Sequence, residues 1–83
     1  MKEYLPLGTI VILKDGQKAI MIYGRQQIHE NSGKEFDYVA CPYPEGNISD
    51  DYTYLFDHEQ VDKIIHTGYS CDEDKEFMSQ AGN

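Results

Sequence analysis

Three histidines, two cysteines and two acidic runs are the side chains of this sequence that could do chemistry. Zinc needs ligands paired a few residues apart, because four donors must converge on one ion. His29, His58 and His66 stand singly, and neither Cys41 nor Cys71 has a second cysteine nearby. No Cys-x-x-Cys or His-x-x-x-His spacing arises, so no metal site is expected. A cysteine nucleophile needs an activating, electropositive neighbourhood. Cys41 sits between Ala40 and Pro42 in an apolar stretch, where burial keeps a thiol inert. Asp50-Asp51 and Asp72-Glu73-Asp74 lack the alternating ligands, central glycine and terminal glutamate of a calcium loop. Both read as solvated charge. The seven glycines are isolated and form no phosphate-binding loop. The expectation is a protein without catalytic residues, cofactor or metal, and so not an enzyme.

Aromatic side chains are the suggestive feature. Tyr23, Tyr38, Tyr43, Tyr52, Tyr54, Phe56 and Tyr69 could form an exposed strip of the kind on which small β domains bind peptides or bases. The alternative is that half or more of them are core and rim. Acidic residues outnumber basic ones 15 to 7, for a net charge of −8. The basic residues are scattered singly from Lys2 to Lys75, with no cluster. Such a surface repels polyanions, so nucleic acid and anionic membrane are poor partners and a basic protein is a better one. Single-stranded nucleic acid would also need a basic groove beside the aromatics, which is lacking.

The elements that must position these residues read as strands and turns. Leu5-Pro6-Leu7-Gly8 is an extended entry. Thr9 to Leu13 is a β-branched first strand, apolar on both faces. Asp15-Gly16 signals a type I′ hairpin turn. Lys18 to Ile28 is a longer second strand, in which Gly24 marks a bulge or bend. His29 to Glu35 is a polar loop. Phe36 to Tyr43 is a third strand, with Pro42 near its end because proline donates no ladder bond. Pro44-Glu45-Gly46-Asn47 is a turn. Tyr52 to Phe56 is a fourth strand, with Tyr52, Tyr54 and Phe56 on one face. Asp57-His58-Glu59-Gln60 is one helical turn with capping-box spacing. Asp62 to Tyr69 then reads as a closing strand, although Val61, Ile64 and Ile65 also have helical spacing.

Eighty-three residues make one domain that buries roughly 60–65% of its unfolded surface. Hydrophobic residues at 40% suffice for a core, which argues against global disorder. Residues 1–69 are expected to form the domain, and the acidic residues 70–83 a disordered tail or short helix. The fold expected is mainly β: a small SH3-like barrel of five antiparallel strands, with one helical turn before the last. Closure would hide strand edges that so small a domain cannot otherwise protect. The opening Met1 to Pro6 lacks an apolar run, and Ile10 to Leu13 is too short to span a bilayer. A cytoplasmic protein with reduced thiols is expected.

Three stretches together carry a resemblance. Leu5 to Lys14 with Met21-Ile22-Tyr23-Gly24-Arg25 is similar to the opening of the domain-of-unknown-function family numbered 4176, found in Gram-positive bacteria. Asp37-Tyr38-Val39-Ala40-Cys41-Pro42-Tyr43-Pro44-Glu45-Gly46 resembles its central signature. Phe56 to Ile64, closing on Gly68-Tyr69, resembles its end. Members are often encoded beside type VII secretion effectors. The resemblance therefore implies a protein-binding adaptor or chaperone-like module, whose partner is such an effector or its small helical companions. It supplies no catalytic residues. An immunity protein that blocks a basic toxin site is the alternative, since acidic patches steer onto basic ones. A small-ligand or nucleic-acid-binding barrel is the weaker one. The residues expected to meet a partner are Tyr43, Pro44, Glu45, Gly46, Tyr52, Tyr54, Phe56 and His58.

Overall fold

A computed structural model describes residues 4–81. Its elements in order are β1 (Ile10–Leu13), β2 (Ile20–Ile28), β3 (Glu35–Pro42), a 3-10 turn (Asp50–Tyr52), β4 (Tyr54–Phe56), a second 3-10 turn (His58–Gln60), β5 (Val61–His66) and α1 (Asp72–Ala81). The strands form one antiparallel sheet in the order β4-β3-β2-β1-β5. The class is mainly β, with a helical turn before the last strand, as the sequence predicts; the sequence left the C-terminal residues open between a disordered tail and a short helix, and Asp72–Ala81 form a helix. The closed barrel is not formed, because β4 and β5 are the two ends of the sheet and no ladder joins them.

The reason lies in β4. Ser49 Oγ accepts the Asp51 amide at 3.0 Å and the Tyr52 amide bonds the Ser49 carbonyl at 3.1 Å. This local cap diverts Asp50–Tyr52 into a 3-10 turn, as serine caps do when they compete with a ladder. Three residues remain for the strand, too few to close a ring. Tyr52 is therefore off the strand that was to align it with Tyr54 and Phe56.

The β1–β2 connection also departs from expectation. Neither Asp15 nor Gly16 has positive φ, so the turn is not type I′. The Lys14 amide instead bonds the Gln60 carbonyl at 2.9 Å. That bond prolongs the pairing of β1 with β5, and six residues are then needed to reach β2. After the second 3-10 turn the chain runs as strand, not helix, from Val61 to His66. Two register shifts against β1, at Ile65 and Asp62, break its alternation.

Gly24 sits at the β2 bulge, where Ile22 pairs Ala40 and Gly24 pairs Val39. A Cβ there would stand 2.6 Å from Val39 Cγ1, closer than side chains tolerate. Gly68 is the tighter position, since any Cβ would sit inside the Leu7 carbonyl. Its amide bonds Thr9 Oγ1 at 3.0 Å, and Thr9 Oγ1 donates to the Pro6 carbonyl at 2.7 Å. This knot fastens the end of the sheet to the entry segment.

The core comprises Val11, Ile20, Ile22, Tyr38, Ala40 and Phe56, covered by Tyr4, Leu5, Leu13, Tyr54 and Val61. Tyr38 is its hub. It packs on Phe56 at 5.4 Å and receives Tyr4 edge-on at 5.9 Å, the arrangement that aromatic quadrupoles favour. Both cysteines are free thiols, Cys41 being buried. No helix among the described residues is long and apolar enough to cross a membrane.

Candidate partner-binding surfaces

The three histidines lie on different elements. His29 Nδ1 lies 3.0 Å from Ser32 Oγ inside the β2–β3 turn, and His66 is exposed on β5. His58 belongs to the second 3-10 turn, where its Nδ1 is 2.7 Å from the Tyr38 hydroxyl. Among the described residues, no three His, Cys, Asp or Glu side chains gather as metal ligands would.

The loop from Tyr43 to Thr53 leaves the sheet after β3 and returns at β4. Its base is pinned by the Tyr43 amide to the Ala19 carbonyl at 3.0 Å and the Gly46 amide to the Pro42 carbonyl at 2.7 Å. Gly46 supports the turn with φ +84°. Glu45 meets Lys18 Nζ at 2.9 Å on the surface, and the Lys18 hydrogen bond holds its carboxyl below the usual carboxylate range. Against this polar frame the loop exposes Tyr43 at 45%, Ile48 at 59% and Tyr52 at 52%. Pro44 beside them is also exposed. From Glu35 to Asp62 the chain carries eight carboxylates and neither lysine nor arginine.

The remaining residues predicted to meet a partner lie elsewhere. Phe56 is 1% exposed within the core, and Tyr54 is half-buried against it. Strict alternation had grouped them with Tyr52, which the Ser49 cap sends outward. His58 lines a second surface. Asp57 and Asp37 latch its turn onto β3: the Asp37 amide donates to Asp57 Oδ1 at 3.2 Å, and the His58 amide donates to Asp37 Oδ2 at 2.8 Å. Gln60 Oε1 takes the Asp57 amide at 2.8 Å, the reciprocal bond that the capping spacing predicts.

This second surface is a groove of about 620 Å³. Among the described residues it is lined by Tyr4, Leu5, Pro6, His58, Glu59, Ile64 and Ser70. Sequence reading missed the residues that hold these segments together. The Tyr38 hydroxyl accepts the Leu5 amide at 2.9 Å while bonding His58. Arg25, whose side chain is 6% exposed, reaches the Leu5 carbonyl at 3.5 Å and forks onto Asp74 of α1 at 2.6 and 3.3 Å. Those bonds hold the Asp74 carboxyl below its ordinary range, against the opposing effect of burial. Asp74 lies 49 residues from Arg25, so no local spacing could reveal the pair.

Comparison with known families gives a match to the model described as Domain of unknown function (DUF4176), over residues 4–77. It runs past Tyr69 into α1 and includes Asp74. No curated protein and no solved structure matches.

Proposed function

The chain belongs to that family of domains of unknown function, and we propose that it works as a non-enzymatic protein-binding module of adaptor or chaperone type. The observation that carries this reading is the β3–β4 loop, where Tyr43, Ile48 and Tyr52 stand about half exposed within ten residues. The core is filled without them. Large side chains held out on a pinned loop are what a protein interface uses, and tyrosine anchors are enriched among the residues that dominate binding.

The acidic surroundings favour a basic partner. The setting implied by the family resemblance, a cytoplasmic role in a Gram-positive type VII secretion system, supplies the first candidates: an effector or its small helical companions. The test is co-expression with such a candidate and affinity measurement on the purified complex. Tyr43→Ala and Tyr52→Ala together are expected to cost at least ~2 kcal/mol, about 30-fold in Kd, the range of interface anchors. Folding stability should stay within about 1 kcal/mol, since both sites are exposed. Unchanged affinity in the double variant would remove the loop from the interface.

A further inference from the structure

β5 ends the sheet, and among the described residues its outer edge has no ladder. It pairs with β1 alone, and every residue from Asp62 to His66 is exposed. Ile64 and Ile65 stand out at 50% and 55%. An open strand edge of this kind is a template for another chain.

The irregularity of β5 restricts which chain can fit. Leu13 pairs Val61, Ile12 pairs Lys63 and Val11 pairs Ile64. Val11 and Leu13 belong to the core side of β1. Val61 and Ile64, three residues apart, therefore both stand opposite core-side partners, with Asp62 and Lys63 between them. A regular strand returns to a face every second residue and cannot follow this spacing. Its bulges thus protect the edge against ordinary strands. An identical edge can follow it, because it carries the same extra residue.

We propose that β5 pairs antiparallel with β5 of a second copy of this chain, about a two-fold axis between Asp62 and Lys63. In that register Val61 of each copy lies opposite Ile64 of the other, and Asp62 of each lies opposite Lys63 of the other. The contact is self-complementary, as a two-fold interface requires. Charge selects the same occupant. Asp62 and Lys63 are exposed and form no ion pair or side-chain hydrogen bond among the described residues. Opposite charges directly across a ladder stabilise it, and like charges oppose it. A second copy answers both side chains at once. β5 holds one aspartate, one lysine and one histidine, so two chains of net charge −8 meet where neither is acidic. So short a ladder makes a weak dimer, with Kd on the order of 100 µM. The contact uses no residue of the β3–β4 loop and is independent of that loop's role.

The test is sedimentation equilibrium of the full chain over a range of concentrations. The mass should rise from one chain to two. Asp62→Lys and Lys63→Asp should each weaken association by about fivefold or more, since either reversal sets two like-charged pairs across the axis. The double variant, with both charges exchanged, should return to within about twofold of the native chain. General repulsion would act otherwise, because Asp62→Lys makes the chain less negative and Lys63→Asp more negative. Both positions are exposed, so the unfolding midpoints should match. In a mixture of ¹⁵N- and ¹³C-labelled chains, intermolecular NOEs should join residues 61 and 64. The mass of one chain at every concentration up to about 1 mM would overturn the proposal. So would opposite shifts in the two single variants, failure of the double variant to restore association, or intermolecular NOEs confined to another surface.

Discussion

Tyr38 shows how single residues organise this protein. Its ring is wholly buried in the core while its hydroxyl joins the entry segment to His58. Removing only that oxygen leaves the Leu5 amide without its acceptor, and a part-buried donor so stranded costs about 1–3 kcal/mol. Tyr38→Phe should therefore lower the urea-derived unfolding free energy by that amount, with the m-value unchanged. An unaltered midpoint would mean that the bond contributes nothing. Gly68→Ala should cost more, because its new methyl must displace the Leu7 carbonyl or break the bond to Thr9. A loss of at least ~2 kcal/mol in the same assay is expected, as for other overpacked sites. At this scale the sequence revealed what is local. The spacing of Asp57 and Gln60 announced the capped turn, and Gly24 announced the bulge. Phe56 and Tyr54 could not be told from Tyr52, because alternation does not register a serine cap three residues upstream. Arg25 gave no sign of its role, since its partner lies across the whole fold.

Among the elements, α1 is the least secured. A ten-residue helix is marginal in water by itself, and this one leaves Phe77 exposed at 62%. The fork from Arg25 to Asp74 is its charged tether. Because Asp74 is depressed in the folded chain, its contribution is complete above the unfolded value near pH 4. It is lost as pH falls below that point, through the lower folded value. Hydrogen exchange should show residues 72–80 losing protection on acidification through this window before β2 and β3 do. Asp74→Asn should reproduce the loss at neutral pH. Simultaneous loss across the sheet would contradict a helix held mainly by this pair. The type of most elements was readable from β-branched runs and turn residues. What could not be read was competition between them. The Lys14 amide pairs with Gln60 in preference to making a tight hairpin, and Ser49 shortens β4. Both outcomes depend on which partners the tertiary fold brings near.

For the molecule as a whole, charge and an unclosed sheet set what partners it meets. The exposed loop lies within a stretch, Glu35 to Asp62, that carries eight carboxylates and no lysine or arginine. Long-range steering by such charge is screened within about 8 Å at physiological salt. Association with a basic partner should then slow as salt rises from 50 to 500 mM, with a smaller effect on dissociation. A salt-independent on-rate would remove charge from the recognition. The most direct measurement of the central claim is site-specific photo-crosslinking of the chain in the cells that express it. A benzoylphenylalanine is placed at Tyr52, and as a control at Glu30 in the exposed β2–β3 turn. The account predicts a discrete protein adduct from position 52 and none of the same mass from position 30. No adduct from position 52, or the same pattern from both, would contradict a protein-binding role for the loop.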